Sequence, residues 1–377
     1  MFSMFRKVFS YIKRQRGGLQ AKTQDLLNLP VELKRGVWRG NDRLFWQNSA
    51  DRLRVEKLFY SFISDHNRLQ TKSFKTYALK VLGNLSRFGI RTQITSNTIK
   101  GSSVAYFARK ESIKCFDFDN CEVITIITRE TAARLNRARM LPMFEVFPIN
   151  DFTIDEDSKS NRGLCVKREA LIDRPCIGNL PRHEQLMALK TICALYAKYH
   201  KLHSKPPAYE LLAPCFDEVV NCLNPVARAQ CLLMKDAYLD FIRITPTIPA
   251  HLDFNIANFL AGDNMLLLDI EDAGLLLPVS FDINNLVLNE VYARRSTHLL
   301  LMVMRKPSEI GYESLIRCEN KNISKHMKTS LFANFILRES RYVAEELFKK
   351  WDSKAVQHNW DKFAKAIPGW PFINNDL

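Results

Sequence analysis

The stretch HLDFNIANFLAGDNMLLLDIEDAG, His251 to Gly274, gathers oxygen-bearing side chains at close spacing. Asp253 and Asn258 are separated by four residues, which puts both on one tight loop. Asn258 to Leu260 and Met265 to Leu268 flank the turn residues Gly262-Asp263-Asn264 and read as a strand pair that would return Asp269 to the same place. Transfer of a phosphoryl group from ATP needs few protein parts. A carboxylate must accept or orient the acceptor hydroxyl, and oxygen ligands must hold Mg²⁺ against the phosphates, because Mg²⁺ takes carboxylate and amide oxygens and keeps its own waters. Asp253, Asn258 and Asp269 supply those atoms. The bland alternative is that Asp253 and Asn258 cap a loop and Asp269 ends a buried strand.

The elements around this stretch fall into three textures. Asp25 to Gly83 reads mostly helical, with Val55, Leu58, Phe59, Phe62 and Ile63 on one apolar face. From Gly89 the chain turns β-rich: Arg91 to Thr98 alternates, and Val104 to Ala108, Ile113 to Phe118 and Val123 to Ile127 are β-branched and aromatic, with Asp119-Asn120 as a turn. A helix over Arg129 to Arg139 and a strand over Leu164 to Leu171 follow. After Pro181 helices dominate: His183 to His203, Glu218 to Leu223, Pro225 to Arg243, and most of Phe281 to Phe363, with Pro246 to Pro249 as a break. The expected class is α+β: a helical N-terminal extension over 1–84, a small antiparallel β-rich N-lobe and hinge over 85–175, and a larger α-helical C-lobe over 176–377 that carries the loop.

Composition narrows the function classes. At 377 residues the chain can bury a large core, and its apolar and charged fractions are those of a globular protein. The longest apolar runs, Met265 to Leu268 and Leu299 to Met304, are too short to cross a bilayer. The net charge of +15 favours an anionic partner such as a nucleotide or an anionic lipid surface. Nucleic acid has charge alone in its favour, with no recognition motif. Nine cysteines, with no CxxC pair and no Cys/His cluster, argue against zinc and for a reducing, cytoplasmic compartment. The N-terminus, MFSMFRKVFSYIKRQRGG, sets Phe2, Phe5, Val8, Phe9 and Ile12 at helical spacing among basic residues, with no acid before Asp25. Three readings stay open for it: a helix lying on an anionic membrane surface, a targeting peptide, or a helix packed on its own domain.

The loop resembles that of the aminoglycoside phosphotransferase and choline kinase family, which reads H-G-D-x4-N and is followed by a strand ending I-D-[FYW]-E. The resemblance implies a bilobed protein-kinase-like fold that uses ATP with Mg²⁺ or Mn²⁺ to phosphorylate a hydroxyl of a small molecule or sugar, a membrane-proximal glycan being one such acceptor. By that likeness Asp253 is the catalytic base, Asn258 and Asp269 are the metal ligands, and His251 is the loop histidine of the catalytic segment, bracing backbone. Glu271 and Asp272 fall where the family often has an acid after the metal aspartate, and Asp282 resembles a later structural aspartate that steadies the loop from a helix start. Two departures stand out: Leu252 replaces the loop glycine, and Ile270 replaces the aromatic.

Weaker likenesses extend it. Cys165 to Pro175 is similar to the hinge strand, Ala194 to His203 to a helix ending in Leu-His, and Arg129 to Leu141 to the helix whose glutamate pairs with the nucleotide lysine. In the nucleotide lobe a glycine-rich cradle is reduced to Gly101. Lys114, with Glu130 as partner, serves as the phosphate lysine if Ile113 to Phe116 is the third strand. If Val123 to Ile127 is the third strand, Thr125 falls at the lysine position. The competing function is a pseudokinase that binds nucleotide or a partner without catalysis.

Overall fold

The structure, a computed structural model, describes residues 31, 33–40, 44–47, 91–94, 101–107, 112–156, 164–293, 297–312, 323–346 and 351–367. They fall into two compact units, one drawn from Met1–Ala133 and Asn150–Asp173, the other from Arg134–Ile149 and Arg174–Leu377. The α+β class expected from the sequence is the class observed.

The first unit is built on an eight-stranded antiparallel sheet of order β3-β1-β2-β4-β5-β6-β8-β7. Its strands are β1 (Gly36–Gly40), β2 (Leu44–Gln47), β3 (Arg91–Ile94), β4 (Val104–Phe107), β5 (Ile113–Asp117), β6 (Glu122–Thr128), β7 (Phe152–Glu156) and β8 (Leu164–Ala170). Alternation buries both faces. Trp38, Phe45, Ala105, Cys115, Ile124 and Val166 form one cluster, and Val104, Phe116 and Val123 form another. The turn between β5 and β6 is fastened by Asp117, whose Oδ1 accepts from the amides of Asp119 and Asn120 at 3.0 Å each.

Two readings change here. β1 and β2 lie inside the stretch read as helical. Their Trp38 and Phe45, each 0 % exposed, fill the sheet's own core, so tertiary burial overrides the local helical pattern. The remainder of the N-terminal reading, including residues 1–30, lies outside the described residues. β7, which the sequence reading passed over, is the edge strand that pairs with β8.

A helix, α1 (Arg129–Ala138), leaves β6 directly, and α2 (Met143–Val146) follows. The second unit then runs α3 (Arg182–His203), α4 (Tyr209–Leu212), α5 (Pro214–Val220), α6 (Pro225–Leu232), α7 (Lys235–Ile244), the strand β9 (Thr247–Ala250), and the short hairpin β10 (Phe259–Leu260) and β11 (Leu266–Leu267). β12 (Leu275–Pro278) pairs antiparallel with β9, and α8 (Phe281–Tyr292), α9 (His298–Arg305), α10 (Ile323–Arg338), α11 (Arg341–Glu346) and α12 (Ser353–Ala366) close the unit. The Pro246 to Pro249 stretch, read as a break, passes from Pro246 straight into the strand β9. Pro249 is tolerated because β9 belongs to a two-stranded ladder whose other side is bridged at Thr247, to Lys205, and not at Pro249.

α8 is the centre of this unit. Phe281 to Leu288 are all buried, so its polar residues Asp282, Asn284 and Asn285 must find partners inside the protein. α3 packs Leu189, Ile192, Cys193, Tyr196 and Tyr199 into the same core, each 0 % exposed. Burial pushes the thiols of Cys115 and Cys193 up to about 12, which makes them inert packing groups.

Candidate active site

The His251 to Asp269 segment leaves β9, makes the loop, crosses the β10–β11 hairpin and ends in a tight turn before β12. Loop geometry is set by backbone groups held from α8. Asp282, 0 % exposed, accepts from the amide of His251 at 2.8 Å and that of Leu252 at 3.3 Å. Tyr196 donates its hydroxyl to the same carboxylate at 3.0 Å. Asn285 Nδ2 donates to the Leu252 carbonyl at 2.6 Å, and Asn289 Nδ2 to the Phe254 carbonyl at 3.3 Å. Burial raises the Asp282 carboxyl to about 7, against the three donors, which favour its ionised form.

Leu252 has φ of +65°, the left-handed region, while its side chain is 5 % exposed and packed in the core. A backbone of that hand explains why glycine suits this position and why leucine is held here only by what surrounds it.

Asp253 is half-buried, and its backbone amide donates to the His251 carbonyl at 2.8 Å. Asn258 Nδ2 donates to the Asp253 carbonyl at 2.9 Å and to its Oδ2 at 3.0 Å. Asn255 Nδ2 lies 3.0 Å from the same carbonyl and 3.3 Å from Oδ1, and Asn255 Oδ1 accepts from Ala257 N at 2.9 Å. The orientation of Asn258 bears on metal binding. With its NH₂ committed to Asp253, its Oδ1 accepts no hydrogen bond among the described residues and is left for a cation. The Asn258 carbonyl accepts from Leu268 N at 2.8 Å, which sets the next residue, Asp269, beside it. Asp269 has φ of +52°, a hand that aspartate adopts more readily than most residues. Burial, and after it the Asp269 charge, raises the neighbouring Cys176 thiol.

Among the described residues no group of three or more His, Cys, Asp or Glu has metal-holding geometry. The Asp269 carboxylate and the Asn258 amide oxygen are nevertheless donors that fit a hard ion which retains water and takes its remaining ligands from phosphate. They do not fit a zinc cage.

His251 is 0 % exposed, and neither ring nitrogen has a hydrogen-bond partner of good geometry. Its ring packs on Phe254, centroids 5.8 Å apart. Burial lowers its pKa, opposed by the charges of Asp253, Asp269 and Asp272. The ring is enclosed by the core beside the loop. Asp272 is buried and paired with Arg134 at 3.1 Å, both side chains being about nine-tenths enclosed. Glu271 lies in the Ile270–Asp272 turn.

The nucleotide-lobe candidates are more scattered. Gly101 is buried with φ of +129°, a conformation reserved for glycine, just before β4. β6, not β5, completes the run β4-β5-β6 and leads into α1, so Val123 to Ile127 holds the third-strand place. Thr125 therefore stands where the sequence reading had sought lysine. Lys114 lies directly opposite it on β5, and Lys167 opposite it on β8. Thr125 Oγ1 is buried without a hydrogen-bond partner. Glu130 is exposed in the first turn of α1. Lys167 instead pairs with Glu169 at 2.8 Å.

Sequence reasoning missed Asn285, Asn289, Arg134 and Tyr196. Only the first two left a signal: asparagines four apart on a helix that carries Asp282 in its first turn, in a largely apolar run.

Neither a protein-family model nor a curated protein sequence matches the chain. Several solved structures are similar. The aminoglycoside phosphotransferase APH(4)-Ia is 13% identical, with TM-score 0.44 over 77% of this chain and 99% of that one. A glucosamine kinase in complex with glucosamine, ADP and inorganic phosphate is 14% identical, with TM-score 0.35 over 69% and 78%. An amicoumacin kinase in complex with AMP-PNP and Ca²⁺ is 11% identical, with TM-score 0.40 over 70% and 90%.

Proposed function

We propose that this chain is an ATP-dependent phosphotransferase acting on a hydroxyl of a small molecule or sugar. The observation that supports it most is the Asp253–Asn258–Leu268 linkage: a half-exposed carboxylate, an amide that donates to it while its own oxygen stays open, and a backbone bond that brings Asp269 alongside. In this reading Asp253 accepts or orients the acceptor's hydroxyl proton. Asn258 Oδ1 and Asp269 hold Mg²⁺ or Mn²⁺, which when bound neutralises charge on the transferring phosphate. Lys114, displaced by one strand from Thr125, is assigned to the nucleotide phosphates, and Gly101 gives the backbone room before β4. His251, Asp272 and Asp282 keep the loop in place.

Asp253→Asn tests the assignment. Loss of the base should lower turnover by roughly a hundredfold or more and leave ATP affinity nearly intact. Equal turnover in variant and wild type, on any hydroxyl acceptor that wild type phosphorylates, sinks the role given to Asp253. The second reading, a pseudokinase, draws on Thr125 in β6, at the position where the resemblance implies a lysine. Nucleotide binding without phosphotransfer across a broad panel of metabolites and glycans would favour it. The acceptor is further proposed to lie near a membrane, because the first 18 residues combine apolar and basic side chains as interfacial segments do. No helix among the described residues is long and apolar enough to cross a membrane.

A further inference from the structure

Both asparagines that grip the loop are themselves gripped. Arg338, the last residue of α10, donates from Nη1 to Asn285 Oδ1 at 3.0 Å and to Asn289 Oδ1 at 2.6 Å. An amide has one acceptor end and one donor end. With both acceptor ends turned to the guanidinium, both donor ends must face the loop, where they meet the carbonyls of Leu252 and Phe254. Those two residues are the immediate neighbours of Asp253. Were either amide reversed, N–H would face N–H at the arginine and oxygen would face oxygen at the loop.

The arginine is in turn fixed: its guanidinium lies over the Tyr292 ring, 4.3 Å from the centroid, and Nε is 3.6 Å from Glu339 Oε1. We infer that Arg338 is a positioning residue for Asp253, acting through the paired amides of Asn285 and Asn289. This rests on the phosphotransferase reading for its kinetic consequence, but the clamp itself is a matter of loop order. Lysine replaces it only in part: both bonds come from one nitrogen, Nη1, which an ammonium can imitate, but the planar group over Tyr292 and the Nε contact with Glu339 are lost.

The test uses the full chain with Arg338→Met, which keeps an unbranched stem over Tyr292, with Arg338→Lys, and with Arg341→Met as a control. Arg341 lies in α11, stacks on Trp351 and bonds Glu218, away from the loop contacts. Arg338→Met should lower kcat about ten- to hundredfold, the scale on which small misplacements of a reacting group act. KM for ATP should stay within about threefold, since the clamp acts on Asp253 and not on the nucleotide. Arg338→Lys should recover part of kcat, and Arg341→Met should match wild type.

A second readout needs no turnover: deuterium exchange in the peptide covering His251 to Asn258 should quicken in Arg338→Met, while the α3 peptide keeps its protection. Unchanged kcat in Arg338→Met overturns the inference. So does a variant whose loop and α3 exchange quicken equally, because the arginine would then serve the whole unit. If wild type transfers no phosphate, the functional reading fails, and the exchange experiment still decides the clamp. Faster loop exchange supports it, and unchanged loop exchange refutes it.

Discussion

Leu252 offers a test in which two effects of opposite sign meet at one residue. Its side chain is 5 % exposed in the core, and its backbone has φ of +65°. Truncation to alanine removes buried carbon at a cost of about 2–5 kcal/mol. It leaves the left-handed strain, worth roughly 1–2 kcal/mol for any residue with a Cβ. Truncation to glycine removes slightly more carbon but releases that strain. At ordinary positions glycine is less stable than alanine by roughly 0.5–1 kcal/mol, because the unfolded chain is freer. Setting the released strain against that penalty leaves Leu252→Gly more stable than Leu252→Ala by roughly 0.5–1 kcal/mol. Both variants should be less stable than wild type. Both keep the amide that donates to Asp282 and the carbonyl that accepts from Asn285, so the loop contacts survive. Urea unfolding of the three proteins with a common slope measures the difference. An alanine variant as stable as the glycine variant, or more so, would refute the claim that backbone strain is stored at this position.

Mg-ATP at a hundred times its dissociation constant should add about 2.7 kcal/mol of stability, seen as a thermal shift that Asp269→Asn largely removes; an equal shift in both proteins would take Asp269 out of the metal site. The Asp282 carboxyl, raised in the folded chain from 3.8 to about 7, binds a proton more tightly folded than unfolded. Its contribution is therefore fully present below the unfolded value and is lost as pH rises through the folded one, each tenfold gain in proton affinity being worth at most about 1.4 kcal/mol. Stability of wild type across that interval should fall more steeply than that of Asp282→Asn; parallel curves would contradict the burial argument. Deleting Met1 to Gly18 should abolish co-sedimentation with anionic vesicles at low salt and leave turnover of a soluble acceptor unchanged. Equal pelleting of both forms would remove the case for a membrane-proximal substrate.

The path of the loop was legible because it is set at short range: Asp253, Asn258 and Asp269 lie within 17 residues, and the β10–β11 hairpin, turning at Gly262, folds the chain back. Strands β4, β5, β6 and β8 were legible from β-branched runs. β1 and β2 were not, since Gly36 to Gln47 is short, carries two glycines and is defined by burial of Trp38 and Phe45 against distant strands. The single helix read over Pro225 to Arg243 is two, α6 and α7, broken at Leu233-Met234 with no glycine or proline to announce it. The third-strand question could not be decided from composition, because Lys114 and Thr125 sit in equally β-like segments; the direct passage of β6 into α1 separates them. The Arg338 clamp spans about fifty residues of chain, a distance over which spacing carries no information.

The grip of α8 on the loop has a consequence for how this sequence can change. Asp282, Asn285 and Asn289 hold amides and carbonyls, the atoms every residue shares, so what the helix dictates is the path of the loop and not the identity of the side chains along it. Positions 252 and 254 are thereby released to vary within the limits of packing and hand, whereas the three helical residues some thirty positions away are not. A local signature can drift at such a loop while its shape is inherited from elsewhere, and a leucine can come to occupy a glycine's place without moving the aspartate beside it.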